Sequence, residues 1–287
     1  MNKKRVKIPL VIRWVRWIFP KLEYWMPSLA HRYFIKIFFT PLRYQPTEKE
    51  QEAAARSYQY QLSVSEETIH VYSWGSATPY LLFTHGWAGR GTQFRKFIDP
   101  VIEAGYRVIA FDGPAHGKSS GKRANLLSFE AVIQAIAAKE GLPVALVSHS
   151  FGGGVALMSV MNGLPVTRIV NIASPTEADK IIDSYLAVIG GSEGTKRAFK
   201  DYIQRTFDRP FHEFTAMYFA GRLPASAQVL LIHDTEDKDV TIDQPRALVK
   251  AYPEVKMIET TGLGHNRILK DDGIIRSVLD FVTAPEK

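Results

Sequence analysis

A serine that could act as a nucleophile stands between a predicted strand and a predicted helix. Residues 144–148 form a short apolar run and residues 151–161 have the pattern of a helix, which places Ser150 in the connection. Gly152 and Gly153 follow at once, and small residues are needed here because the strand and the helix approach closely. A tight turn of this kind presents the hydroxyl at the carboxyl edge of a sheet, where it could attack an acyl carbon.

The serine needs a base and an acid, because a hydroxyl is a weak nucleophile at neutral pH. His265 lies in the glycine-flexed segment G-L-G-H-N, after the last strand-like run. Carboxylates cluster after the preceding run, and Asp237 and Asp239 are the two candidates for the acid. The order serine, carboxylate, histidine along the chain predicts a Ser-Asp-His triad.

The elements that must position these residues alternate between strands and helices. The predicted strands are 68–74, 80–84, 108–112, 144–148, 166–172, 229–233 and 255–260. The predicted helices are 47–56, 92–104, 127–139, 151–161, 244–252 and 266–282. This alternation predicts an α/β fold with a mainly parallel central sheet and helices on both faces.

Two segments stand outside the alternation. Residues 174–224 are long, rich in Phe and Tyr and without a clear strand, so we expect an inserted helical cap whose aromatic residues favour an apolar acyl or alcohol group in the substrate. The other segment is a basic N-terminal extension, residues 1–46, with a domain boundary near Pro46 and the main domain spanning 47–287.

The chain from about residue 47 resembles the α/β-hydrolase-fold serine hydrolases of the esterase and lipase type. Residues 85–89, H-G-W-A-G, are similar to the family's H-G-x-x-G oxyanion loop, which implies oxyanion donors at the backbone N–H groups of Trp87 and Phe151. Residues 112–119 resemble a structural D-x-P-G-x-G-x-S turn, with Ala115 in place of a glycine. The acid loop resembles H-G-x-x-D, which places Asp237 as the acid and Asp234 at the glycine position.

Other chemistries fit the sequence less well. Residues 113–119 have one residue too few between the first glycine and G-K-S for a phosphate-binding loop, and no H-E-x-x-H metal motif is present. We therefore predict no metal and no cofactor. His116 and His149 are predicted to line the substrate site. The absence of cysteine excludes a disulfide framework and a thiolate nucleophile.

Positive charge is concentrated in the extension. Residues 1–46 contain ten basic residues and one acid, whereas the 287-residue chain has a net charge of only +7. The body is therefore mildly acidic, which argues against nucleic acid as a partner. Pro9 and Pro20 predict a short amphipathic helix over residues 10–19, which either makes peripheral contact with anionic lipid or packs on the main domain. The helix is too short to span a membrane and no cleavable signal is evident, so we expect a cytoplasmic protein.

Together these observations predict a hydrolase that cleaves a carboxylic ester through an acyl-enzyme, with a lipid-derived ester as one candidate substrate. Two alternatives stay open. The first is an acyltransferase or amidase using the same triad, and the second is a non-catalytic member of the fold that binds a ligand or partner. The sequence does not predict the oligomeric state.

Overall fold

Eight strands form one sheet in this protein, whose computed structural model describes the backbone of residues 10–285 and the side chains of residues 13–285. The strands are β1 Tyr58–Val64, β2 Glu67–Trp74, β3 Tyr80–Thr84, β4 Arg107–Asp112, β5 Ala145–His149, β6 Arg168–Ile172, β7 Gln228–Asp234 and β8 Lys256–Thr260. Their order is β1-β2-β4-β3-β5-β6-β7-β8. The β1/β2 and β2/β4 pairs are antiparallel and the other pairs are parallel, which confirms the predicted mainly parallel sheet.

The sheet belongs to one of two compact units, which we call the sheet unit: residues Thr40–Glu177 and those from Phe214 onward. Within residues 10–285 the helices are α1 Leu10–Trp25, α2 Pro27–Phe38, α3 Glu48–Ala55, α4 Ile98–Glu103, α5 Leu126–Glu140, α6 Phe151–Met161, α7 Ala178–Ile189, α8 Glu193–Phe207, α9 Ala216–Ala220, α10 Asp243–Ala251, α11 Gly264–Arg267 and α12 Asp272–Thr283. Helices α5 and α6 pack on one face of the sheet and α4 and α12 on the other. The predicted α/β class with helices on both faces is confirmed.

Several local predictions differ from the structure, among them the helix over residues 266–282, which is divided into α11, a 3₁₀ turn at Ile268–Lys270 and α12. Strand β1 was not predicted, because its sequence Y-Q-Y-Q-L-S-V alternates apolar and polar residues and lacks the continuous apolar run of the other strands; it is an edge strand with mostly exposed and half-buried residues. The predicted helix over residues 92–104 is instead a short 3₁₀ turn, Gly91–Phe94, followed by α4. Helix α4 begins two residues before Pro100, so the proline stands in the first turn, where its missing N–H costs no intrahelical hydrogen bond.

The second compact unit, which we call the helical unit, contains the described residues up to Phe39 together with Ala178–Glu213. Helix α1 runs through Pro20 to Trp25, so the prediction that Pro20 ends the helix is wrong. Gly190, just after α7, leaves room for the proline ring, because a Cβ on this residue would lie 3.2 Å from the ring. The first nine residues of the predicted extension lie outside the described residues.

A carboxylate fixes α1 onto the start of α8 within the helical unit. Glu23 accepts hydrogen bonds from the backbone N–H groups of Ser192 and Thr195, both at 3.1 Å, and from their hydroxyls at 2.5 and 2.6 Å. Burial alone would raise the pKa of Glu23, but these hydrogen bonds outweigh it and the pKa is lowered. The only acid of the predicted extension therefore serves to hold helices together.

Aromatic side chains form the interior of the helical unit. The ring of Phe38 lies 4.4 Å from that of Phe199 and 4.8 Å from that of Tyr185, and Phe34 and Phe211 also pack on Phe199. Aromatic residues of the insertion are thus used in packing against α2. That the insertion acts as a cap over a substrate stays a prediction. Among the helices of residues 10–285, none is both long enough and apolar enough to cross a bilayer.

Candidate active site

Ser150 occupies a strained turn between β5 and α6. Its φ of 52° and ψ of −121° lie in a region of backbone conformation that residues other than glycine rarely adopt. Holding Ser150 in this conformation costs about 1–3 kcal/mol. The backbone N–H of Ser150 donates to the carbonyl of Ile172 at 2.9 Å, which ties the turn to the end of β6. The hydroxyl is thereby held at the carboxyl end of the parallel strands.

The first two glycines after the serine are required by close contact with neighbouring residues. A Cβ on Gly152 would lie 2.4 Å from the carbonyl oxygen of Thr84 at the end of β3. A Cβ on Gly153 would lie 2.0 Å from the Ser174 hydroxyl. The third glycine, Gly154, meets only the flexible side chain of Leu126, at 3.3 Å. The first two glycines are therefore steric requirements of the turn, whereas the third is not.

This difference gives a paired prediction. Gly152→Ala should destabilise the protein by about 1–3 kcal/mol because the rigid Thr84 carbonyl must move. It should also lower kcat by about 10-fold to 100-fold, because the displaced Thr84 backbone leads directly into residues 85–89, which contain the predicted oxyanion donor Trp87. Gly154→Ala, the matched control, should be neutral or stabilise the helix by up to about 1 kcal/mol. Urea unfolding and ester hydrolysis measure both effects, and equal behaviour of the two variants would contradict the steric explanation.

The three residues of the predicted triad meet at one edge of the sheet. His265 Nε2 lies 3.1 Å from Ser150 Oγ, and His265 Nδ1 lies 2.7 Å from Asp237 Oδ2. The imidazole therefore lies between the hydroxyl and the carboxylate with one ring nitrogen directed to each. This is the arrangement in which a histidine can remove the serine proton while a carboxylate orients the ring.

The carboxylate that contacts the imidazole belongs to Asp237, and Asp239 is exposed. Asp237 Oδ1 accepts the backbone N–H groups of Asp239 and Val240 at 2.9 and 3.0 Å, and its side chain is fully buried. Burial raises the pKa of Asp237, but the hydrogen bonds from His265, Val240 and Asp239 outweigh burial, and the net pKa is lowered. The acid is therefore held as a carboxylate.

Asp234, at the position of the family's glycine, has a structural role that the sequence did not reveal. Its carboxylate accepts hydrogen bonds from the N–H groups of Glu236 and Leu263 and from the Thr260 hydroxyl, at 2.8–3.0 Å. Burial raises its pKa, but these bonds and one from the Gly264 N–H lower it to about 2. Asp234 thus links the acid loop after β7 to the loop that carries the histidine.

The predicted oxyanion donors lie in two segments whose side chains touch. The rings of Trp87 and Phe151 are half-buried, with centroids 5.2 Å apart. Neither residue's N–H is paired with a backbone acceptor within the described part of the protein, whereas the neighbouring Ala88 N–H donates to His116 Nε2 at 3.1 Å. The pairing pattern leaves the two predicted N–H groups for another acceptor. Their role toward an oxyanion stays a prediction.

His116 is buried, and backbone groups occupy both of its ring nitrogens. Nδ1 donates to the Pro114 carbonyl at 2.8 Å, while Nε2 accepts from Ala88. His85 repeats the pattern, donating to the Gly86 carbonyl at 2.7 Å and accepting from the Gly113 N–H at 2.9 Å. The two histidines therefore connect residues 85–89 to the turn at 113–117. This placement favours a structural role for His116 over the predicted contact with substrate, which stays a prediction.

His149 is likewise buried and supports the histidine loop. Its Nε2 donates to the backbone carbonyl of His265 at 2.9 Å, the two rings lie 4.8 Å apart, and its Nδ1 lies 3.3 Å from the Gln93 amide. Both ring nitrogens of His149 are engaged within the protein, which favours a structural role. Its predicted contact with substrate stays a prediction. Its position indicates that it holds His265 in place.

Neutral buried histidines should make the protein sensitive to mild acid. Burial lowers the pKa of His85 to about 4 and of His116 to about 3, whereas the unfolded chain takes up these protons near pH 6.5. The unfolded state then binds more protons, so stability falls as the pH drops below 6.5. We expect a loss of about 2 kcal/mol per histidine between pH 7 and pH 5.

Urea unfolding at pH 7, 6 and 5 would measure this loss. The range from pH 7 to pH 5 separates the effect of the histidines on stability from that of the carboxylates, because most Asp and Glu side chains of the unfolded chain titrate below pH 5. In the variant His116→Gln, the side-chain amide oxygen can still accept the hydrogen bond from the Ala88 N–H, but the amide cannot take up a proton in this range. The variant should therefore reduce the pH dependence of the free energy of unfolding. A free energy of unfolding that stays constant from pH 7 to pH 5 would contradict the prediction.

Among the residues that the structure describes, one group has atoms close enough to hold a metal ion. Ligand atoms of Asp237, Asp239 and His265 lie within 4.8 Å of one another. The group overlaps the triad, and its two buried or half-buried members are already hydrogen-bonded to each other. The arrangement is accounted for by the triad, and the sequence prediction of no metal stays a prediction.

Comparison with known proteins defines the class. Residues 81–276 match the model of the alpha/beta hydrolase family, and since the match covers more than half of the chain, the protein belongs to that family. Among solved structures, the Pyrococcus furiosus esterase Pf2001 superposes with a TM-score of 0.65 at 15% identity, covering 86% of this chain and 100% of that one. At that identity the likeness concerns the fold.

The curated relatives do not share one activity. The magnesium-chelatase 30 kDa subunit of Rhodobacter capsulatus is 36% identical over 98 residues, which are 33% of this chain and 34% of that protein. The dihydrolipoyllysine-residue acetyltransferase component of the acetoin cleaving system of Cupriavidus necator is 28% identical over 160 residues, 55% of this chain and 42% of that protein. The chain thus spans less than half the length of these two relatives.

Proposed function

We propose that this protein is a serine hydrolase that cleaves a carboxylic ester through a covalent acyl-enzyme. The observation that carries the proposal is the position of His265, within 3.1 Å of the Ser150 hydroxyl and 2.7 Å of the buried Asp237 carboxylate. Membership in the alpha/beta hydrolase family supports hydrolysis as the class of reaction. We propose an ester because the carbonyl carbon of an ester is attacked by a serine hydroxyl more readily than that of an amide.

In the proposed mechanism, Ser150 Oγ attacks the acyl carbon while His265 Nε2 accepts the hydroxyl proton. Asp237 orients the imidazole and stabilises the imidazolium. The N–H groups of Trp87 and Phe151 stabilise the oxyanion, a contribution that is typically worth about 100-fold or more in rate per donor. His265 then returns the proton to the leaving alcohol, and water repeats the sequence on the acyl-enzyme.

Active-site labelling tests the proposal. A fluorophosphonate should modify the protein once, at Ser150, and an ester substrate should protect against labelling. Mass spectrometry of the digested protein would locate the modification, and p-nitrophenyl esters of increasing acyl length would measure turnover. Absence of both labelling and ester turnover would reject the proposal in favour of a non-catalytic member of the fold.

Product analysis separates hydrolysis from transfer. With an ester and a competing alcohol or amine present, a hydrolase should release mainly the free acid. Predominant formation of the new ester or amide would instead identify an acyltransferase using the same residues. Turnover of anilides faster than the matched esters would identify an amidase. The series of p-nitrophenyl esters also tests whether the substrate is a lipid-derived ester, because that hypothesis predicts a higher kcat/KM for long acyl chains.

A further inference from the structure

The face of the helical unit formed by α1 and α2 carries an unusual number of exposed large apolar side chains. On the inner side of the same helices, Phe19, Ala30 and Phe34 are buried in the interior of the unit. The exposed residues are Trp14 (60% exposed), Trp17 (58%), Ile18 (47%), Tyr24 (78%), Trp25 (78%), Met26 (54%), Leu29 (46%) and Tyr33 (44%). Soluble surfaces rarely collect such groups, so this face, which we call the aromatic face, requires an explanation beyond folding.

Helix α1 buries Phe19, whereas Trp14 and Ile18 are exposed to solvent. A groove of about 440 Å³ lies between the two helices, lined by Trp14, Ile18, Leu29 and Tyr33 among others. The aromatic face is therefore continuous across the two helices.

The two helices that form the aromatic face also carry exposed positive charge. Arg13, Arg16, Lys21 and Arg32 are all exposed, and the Lys21 ammonium lies 3.1 Å from the centre of the Trp17 ring. The one acid of this segment, Glu23, is engaged with Ser192 and Thr195 and does not neutralise them. In sequence, four more basic residues precede α1. The surface thus combines insertable rings with an excess of positive charge.

We propose that the aromatic face binds the surface of an anionic lipid bilayer. Tryptophan and tyrosine favour the boundary between headgroups and acyl chains, because their rings are apolar at one end and polar at the other. Lysine and arginine at the same level meet anionic headgroups. At 16 residues, α1 is about 24 Å long and lies in the plane of the interface. This binding does not depend on the proposed esterase activity.

Charge complementarity distinguishes the bilayer from the other occupants. A second copy of the chain would place like charges of Arg13, Arg16 and Lys21 against one another, which opposes self-association. A nucleic acid would satisfy the charges but leave Ile18, Met26 and Leu29 exposed to water. A bilayer of anionic lipid satisfies both the cations and the aliphatic side chains.

Vesicle flotation of the full chain tests the proposal. Vesicles of phosphatidylcholine alone are compared with vesicles of equal parts phosphatidylcholine and phosphatidylglycerol, all ether-linked so that ester hydrolysis cannot alter them. We expect binding to the anionic vesicles and quenching of tryptophan fluorescence by brominated lipid. Wild-type protein that fails to bind, or that binds both compositions equally, would overturn the proposal.

Two variants and their controls separate insertion from charge. The double variant Trp17→Ala, Trp25→Ala should weaken binding about tenfold or more, and Tyr58→Ala, at an exposed site of the sheet unit, should not. The triple variant Arg13→Gln, Arg16→Gln, Lys21→Gln should weaken binding to anionic vesicles by roughly 100-fold. The charge-matched control replaces Lys96, Lys250 and Arg276, which are exposed residues of the sheet unit, by Gln.

The remaining outcomes identify a different occupant. Self-association in the absence of lipid that the tryptophan variant abolishes would assign the face to a second copy and overturn the proposal. Binding of an oligonucleotide, with no binding to vesicles, would do the same for nucleic acid. Circular dichroism and thermal unfolding confirm that each variant is folded, so that loss of binding reports the surface.

Discussion

Replacement of Ser150 by alanine should lower kcat for ester hydrolysis by about four to six orders of magnitude. The change removes the only atom that forms the bond to the acyl carbon, and the imidazole 3.1 Å away then has no hydroxyl to activate. Stability should change little, because alanine adopts the same backbone conformation as serine and no other hydrogen bond of the hydroxyl is lost. The measurement is single-turnover hydrolysis together with urea unfolding.

A matched control lies on the helix that follows the nucleophile. Ser159 is buried in α6, and its hydroxyl donates to the carbonyl of Val155 at 2.9 Å, away from the triad. Ser159→Ala therefore removes a buried hydroxyl of the same type and should keep kcat within about twofold of wild type. If Ser150→Ala retained hydrolysis close to that of this control, the hydrolysis would have to arise elsewhere and the proposed function would fail.

Local sequence was sufficient for the parts of the fold set by neighbouring residues. The helix 151–161 and the strand 80–84 were predicted with their observed limits, since an apolar run and a following glycine-rich turn are both visible over a few residues. The meeting of Ser150, Asp237 and His265 was also inferable, because parallel strands bring their carboxyl ends to one edge.

Several of the features that were missed depend on contacts between residues far apart in the chain. Asp234 replaces a family glycine, and its role becomes clear only when Thr260 and Leu263 are seen to donate to it. His116 looked available to substrate because the partner of its Nε2, Ala88, is 28 residues away. No local pattern contains this information. Pro20 within α1 is similar, since Gly190 accommodates it.

Ala115 illustrates a departure whose cost is visible only in the structure. The family has glycine at this position, and Ala115 has a φ of 64°, so alanine keeps the left-handed conformation that glycine adopts without strain. Asp112 holds the turn by accepting the N–H groups of Gly91 and Lys118, each at 2.8 Å. The network enforces the conformation even though the residue type disfavours it.

Asp237→Asn should lower kcat by about 10⁴-fold with little change in KM. Asparagine can keep its oxygen toward the N–H groups of Asp239 and Val240, which turns its amide nitrogen toward His265 Nδ1. The amide would then donate where the carboxylate accepted, and the imidazole proton would move to Nε2. With a proton there, Nε2 cannot accept one from Ser150, so the loss falls on the chemical step.

The same substitution at Asp239 distinguishes the two candidate acids. Asp239 is exposed, and the carboxylate bonded to the imidazole is that of Asp237, so Asp239→Asn should change kcat by less than about threefold. The rate of fluorophosphonate labelling supplies a second readout, because it depends on activation of Ser150 and should fall only in Asp237→Asn. A larger loss in Asp239→Asn than in Asp237→Asn would transfer the orienting role to Asp239. It would also mean that the 2.7 Å contact with Asp237 is not the one used in turnover.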